Sequence, residues 1–274
     1  MNEIVGDPLA EHDHQPAALG LETFDALTAA LNAPGRRLIF CDDTSLQGRV
    51  AEHMEPDVEL MCAVCLPSDA YPSVGQVLAH RLEALGVGEF HAKEVVNPNS
   101  SSVWLKVSIQ DRIETFRFMS QWLRNHVDQA GYLFIAKSDF EQMKVVAGGP
   151  VALGIGQKSG LRKVTLSCVA EQFASAQLPT LLVVDQAKPA NKPQLTMPHA
   201  GLVGGGAIVA DSAKIAGLQL ADMAAYCIGR YLRKRAALRT GQGGPFDQIA
   251  LETMADFQGR LRFLLAPDGA SPAS

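Results

Sequence analysis

Ile215-Ala216-Gly217-Leu218-Gln219-Leu220-Ala221-Asp222-Met223-Ala224-Ala225-Tyr226-Cys227-Ile228 is apolar or small almost all the way round. That pattern belongs to a helix buried on most of its faces. Two polar side chains interrupt it, Gln219 and Asp222, and a spacing of three makes them neighbours on one face. Burying an ionised carboxylate costs several kcal/mol, a large share of the roughly 5–15 kcal/mol that holds a domain together. Asp222 therefore requires a partner: a cation, a metal ion or a set of hydrogen-bond donors. Small neighbours at Ala221, Ala224 and Ala225 would let the helix approach a sheet closely, bringing the carboxylate near acids borne on strands. The plainer alternative is an Asp that caps a loop or pairs with an Arg.

Outward from this helix, strands alternate with helices. Strand-like runs are Arg37–Cys41, Val58–Leu66, Tyr132–Ala136, Pro179–Asp185 and a brief Gly206–Ala210. Helical spacing covers Leu21–Leu31, Val74–Leu85, Ser108–Gln129 (stopped by Gly131), Leu161–Ala176 and Phe246–Leu265. Residues 88–96 read as polar and irregular. The alternation predicts one α/β domain over residues 21–265, with a loose arm at 1–20 and a disordered tail at 266–274.

The 274 residues are 47% hydrophobic and 19% charged, with a net charge of −5. That balance argues against non-specific coating of nucleic acid but leaves room for a local basic groove. No run approaches the roughly 18 apolar residues of a membrane span. The N-terminal residues are acidic where a secretion signal would be basic and then apolar, so the expected compartment is the cytoplasm. The five cysteines sit among apolar residues and fit reduced, buried thiols. Cys62 and Cys65 lie in one strand, where they would point to opposite faces, which argues against zinc.

Two strands run into an acid, at Asp42 and Asp185, and in α/β sheets ligands usually sit at such places. Three carboxylates meeting at one point raise each other's pKa and cannot all stay ionised without cations. Mg²⁺ or Mn²⁺, with their preference for oxygen ligands, resolves that conflict. Two such ions about 3.5–4 Å apart are an arrangement that hydrolyses phosphodiesters. Against this, strand-end Asp residues often do no more than cap a following turn.

Phe40-Cys41-Asp42-Asp43-Thr44 and Asp211-Ser212…Gly217-Leu218-Gln219-Leu220-Ala221-Asp222 resemble the two hallmark motifs of a bacterial family called domain of unknown function 3800. Those motifs are Asp-Glu-Ser near the start and Gln-Leu-Ala-Asp near the end. Phe90-His91-Ala92-Lys93-Glu94 and Val184-Asp185 fall between them in the expected order, and the resemblance spans about residues 37–236. The chain departs from the pattern with Asp43 where Glu is usual and Thr44 where Ser is usual. The resemblance implies a ribonuclease H-like mixed sheet flanked by helices, with extra peripheral helices. It also implies a metal-dependent nuclease site and an association with mobile elements or phage defence. By order along the chain, the catalytic acids would be Asp42, Glu94 (with Glu89 as the alternative), Asp185 and Asp222. Asp42, Asp185 and Asp222 would bind the metal. Gln219 would orient Asp222, His91 would orient a water or ligate, and Asp43 would stand in support.

Gly154–Gly160 resembles a phosphate loop but lacks its spacing. Its amides, with Lys158, Arg162 and Lys163, are candidates to contact a nucleic-acid backbone. After Asp222 the helix turns basic at Arg230, Arg233, Lys234, Arg235 and Arg239, either a phosphate-tracking patch or a solvated helix end suited to its dipole. The expectation is a divalent-metal-dependent nuclease or phosphodiesterase. The rivals are an inactive nucleic-acid- or protein-binding module and an enzyme acting on small nucleotides. The expected partners are nucleic acid, DNA or RNA, with self-association left open and no membrane.

Overall fold

The computed structural model describes residues 21, 23–46, 58–135, 157–175, 177–185, 194–196, 199, 201–239, 242–257 and 259–264. Its centre is β1 (Arg37–Leu46), which pairs antiparallel with β2 (Val58–Pro67) on one side. On its other side it pairs parallel with β4 (Thr180–Asp185). Beyond β2 comes β3 (Gln129–Ile135), antiparallel to it, and then β7 (Leu261–Phe263), parallel to β3. Beyond β4 comes β6 (Leu202–Ala210), parallel to it, edged by the antiparallel β5 (Gln194–Thr196). The result is an α/β architecture on a mixed seven-stranded sheet, ordered β5-β6-β4-β1-β2-β3-β7.

The period of two in a strand divides the apolar residues between two cores. Leu38, Phe40, Leu181 and Val183 face one core. There they meet α1 (Phe24–Leu31), α2 (Tyr71–Ala84), α3 (Ala92–Val96) and α4 (Ile109–His126). The same core holds α6 (Ala216–Arg239) and α7 (Pro245–Phe257). Ile39, Cys41, Leu182 and Val184 face the other core, against Leu166, Val169 and Phe173 of α5 (Gln157–Phe173). Cys62 and Cys65 divide the same way, one to each core, as their spacing predicts.

Helix α6 lies closer to β1 than alanines alone would allow. A Cβ placed on Gly217 would come within 2.4 Å of the Phe40 ring, so only glycine fits at this crossing. Among the described residues no helix is long and apolar enough to cross a membrane.

Several elements depart from the sequence expectation. Tyr71 and Pro72 belong to the first turn of α2 rather than to a preceding loop; proline is tolerated there because that N–H has no helical partner. Helix α4 ends at His126, and Gly131 lies inside β3, where a Cβ would stand 2.7 Å from Phe173 and Leu264. The last helix ends at Phe257 instead of Leu265. Arg260 donates to the carbonyls of Arg124 and Val127, and that anchor turns the chain into β7. Residues 88–96 are not wholly irregular, since α3 forms within them.

Candidate functional site

Strands β1 and β4 are paired as far as Cys41 and Val184. Asp42 and Asp185 follow one residue later, on neighbouring strands that lie roughly 4.8 Å apart. Asp42 shares the face of Phe40 and Asp185 that of Val183, so both turn toward α6. The sequence expectation of a strand ending at Asp42 is corrected: β1 runs on to Leu46, with Asp42 opposite Cys62 of β2. What ends there is the pairing with β4, and the acids stand at the fork where the two strands part.

Gly217 seats α6 on Phe40, and Asp222 follows further along the same helix. Burial pushes the Asp42 carboxyl well above its ordinary range, and the charges of Asp222, Asp185 and Asp43 raise it further. One influence opposes them: the Asp43 amide donates to Asp42 Oδ1 at 2.8 Å. The carboxylates of β1, β4 and α6 therefore act on one another.

Gln219 and Asp222 take hold of the segment that precedes α3. Phe90 N–H donates to Gln219 Oε1 at 2.8 Å, and Ala92 N–H donates to Asp222 Oδ2 at 2.6 Å. A polar pair three apart on a helix thus accepts two alternate amides of an extended stretch. Phe90 and Ala92 are buried, so period two turns Glu89 and His91 the other way. His91 Nδ1 lies 3.3 Å from Asp222 Oδ2, with the Asp222 side chain 15% exposed and the imidazole 52%. Its hydrogen bond to Asp222 raises the imidazole to about 9; burial opposes this, while the charges of Asp222, Glu89 and Asp42 add to it. At neutral pH His91 is an imidazolium.

Glu89 and Glu94 have different surroundings. Burial raises the Glu89 carboxyl, a Ser212 hydrogen bond and His91 lower it, and Asp185 and Asp211 raise it again. Glu94 sits in α3, where Ser102 Oγ donates to it at 2.5 Å. Glu89 is therefore the acid that shares the field of Asp185 and His91. The period of two in Gly88-Glu89-Phe90-His91-Ala92, polar alternating with apolar, carried that signal. Gln219 was expected to orient Asp222; it instead binds the Phe90 amide and donates from Nε2 to the Ser212 carbonyl at 2.8 Å.

The basic candidates are differently engaged. Arg230 Nε donates to Asp247 Oδ1, and Lys234 Nζ lies 3.3 Å from Asp247 Oδ2. Their charges hold α6 to α7. Arg233 donates to the Gly229 carbonyl of its own helix. The side chains of Lys158, Arg162, Lys163, Arg235 and Arg239 lie outside the described residues. Among the described residues no three His, Cys, Asp or Glu side chains are gathered closely enough, as they stand, to hold a metal ion. Comparison with protein-family models, curated proteins and solved structures returns no match.

Proposed function

We propose that this chain is a divalent-metal-dependent phosphodiesterase of the nuclease type on a ribonuclease H-like sheet. The observation that carries the reading is the influence of Asp222 and Asp185 on a buried Asp42. A fold selected for stability alone has no reason to aim three acids at one another. The fold part of the reading is supported by β1, antiparallel to β2 on one side and parallel to β4 on the other. It is supported too by the order in which the acids arrive: β1, the 89–91 segment, β4 and α6. The resemblance to domain of unknown function 3800 rests on the two quoted motifs.

The donor set suits Mg²⁺ or Mn²⁺: hard carboxylate oxygens in excess of the nearby positive charge. Asp42, Asp185 and Asp222 would hold the ion, and Glu89 would complete the set. Holding it requires side-chain torsions to change, since Asp222 Oδ2 is turned to the Ala92 amide and His91. Such an ion supplies charge stabilisation at a phosphoryl oxygen and activates water. His91, half-exposed and protonated beside Asp222, is placed to donate to a phosphate oxygen.

A second reading, a small-nucleotide phosphoesterase, is favoured by one observation. Arg230 and Lys234, which would track a long backbone, are engaged by Asp247. Titration calorimetry with Mn²⁺ should give millimolar or tighter binding, abolished in Asp222→Ala. Single- and double-stranded DNA and RNA and a small phosphodiester, each incubated with Mn²⁺, then separate the two substrates. Cleavage must disappear in Asp42→Asn and Asp185→Asn. A parent protein that binds no Mn²⁺ sinks the metal site; binding without cleavage of any substrate leaves a binding module.

A further inference from the structure

We propose that Gln219 is a positioning residue for Glu89, holding the peptide group from which that carboxylate projects. The proposal rests on the metal-site reading above and names the residue that sets its fourth acid. The Glu89–Phe90 peptide is held at both ends. Its N–H donates to Gln219 Oε1 at 2.8 Å, and its carbonyl accepts from Trp104 Nε1 at 3.1 Å. Trp104 is itself buried edge-on against the Phe90 ring, with centroids 6.4 Å apart at 82°. Fixing that peptide plane fixes the Glu89 Cα, which lies in it, so the side chain starts from a held point and only rotation about the Cα–C bond is left to aim it.

The other end of the Gln219 carboxamide is anchored as well. Nε2 donates to the Ser212 carbonyl at 2.8 Å. The carboxamide thus ties the Glu89–Phe90 peptide to the Ser212 carbonyl, just ahead of its own helix. Only a carboxamide fits this place: it must accept from one backbone amide while donating to a carbonyl. Glutamate would turn an oxygen on the Ser212 carbonyl, and methionine would serve neither group. Gln219 is 3% exposed, so water cannot replace what a substitution removes.

The test is a set of double-mutant cycles on the full chain, with Mn²⁺ affinity as the readout. Gln219→Met and Trp104→Phe, each removing one hold on the Glu89–Phe90 peptide, should each weaken Mn²⁺ binding about tenfold, as loss of an outer partner of a metal ligand does. In a Glu89→Gln background neither should weaken it further. Trp104→Phe keeps a ring in the core and removes the indole donor, so it keeps the test open if Gln219→Met does not fold. Unchanged affinity, or losses that add in the Glu89→Gln background, would reduce Gln219 to a loop anchor and overturn the proposal. If the parent binds no Mn²⁺, the metal-site reading fails by itself, and amide exchange at Phe90 then judges the hold on the peptide. Gln219→Met should speed that exchange about tenfold, as loss of one net hydrogen bond does, and Trp104→Phe should speed it as well; exchange equal to that of the parent overturns the proposal.

Discussion

Two acids packed on α6, Asp222 and Asp247, meet opposite surroundings. Asp247, from the first turn of α7, has a side chain only 5% exposed and receives Arg230, Lys234 and the Gly244 amide. Burial alone would raise its carboxyl, but the hydrogen bond and charge of Arg230, with Gly244 and Lys234, carry it below the ordinary range. At the other end of the same helix, Asp222 faces Asp42, whose carboxyl burial and neighbouring acids drive upward. One acid has been given cations and a cap; the other has been given more acids, one backbone amide and a half-exposed histidine. The first arrangement ties two helices. The second concentrates charge that a bound ion or phosphoryl ligand would relieve, and this contrast is the main physical reason to regard the β1–β4 fork as a functional site.

The largest expected effect tests the structural end. Asp247→Ala leaves Arg230 partly buried without its partner and removes a capping interaction, so urea unfolding should show a loss of about 3 kcal/mol. A loss near zero would erase the contrast. The functional end should respond with the opposite sign. Asp42→Asn removes a destabilising charge, and the same experiment at pH 8 should show a gain of about 1 kcal/mol alongside lost activity. Because the folded-state carboxyl lies above its ordinary value of 3.8, the folded chain binds that proton more tightly than the unfolded one. Stability therefore falls as pH rises from near 4 through the raised folded value. Asp42→Asn should match its parent near pH 4 and exceed it above.

His91 extends the comparison to higher pH. Its imidazole is raised from 6.5 to about 9, so its stabilisation is fully present below 6.5 and is lost as pH rises through about 9. Solvent screening of a half-exposed ring keeps the effect to about 1 kcal/mol. His91→Gln should flatten the stability profile over that interval; an unchanged slope would remove His91 from contact with Asp222. The smallest effect sharpens the structural end. Lys234, 41% exposed and 3.3 Å from Asp247, should cost only about 0.5 kcal/mol on change to alanine, because Arg230 remains.

Much of the site was legible in the residues. Asp222 stood out because charge is expensive in an apolar helix, and Asp185 because it closes a run of buried β-branched and leucine residues. Asp42 was found for the right type and the wrong reason. Asp42-Asp43-Thr44-Ser45 has the composition of a turn, but pairing with β2 carries the strand through it. Gly131 misled in the same way, since the close approach of Phe173 and Leu264 that requires glycine there is made by residues distant in sequence.

Periodicity is a local property, so the sequence by itself determined which residues share a face. It predicted the buried helix and its polar pair, the division of Cys62 and Cys65, and the alternation that makes an α/β sheet. Partnership across space is not periodic, and tertiary structure alone decided it. Packing assigned Arg230 and Lys234 to Asp247, put Glu89 within the field of Asp185 while Glu94 went to Ser102, and gave Gln219 two backbone partners. Each of those choices depends on where an element from elsewhere in the chain comes to rest, which no spacing within the element records.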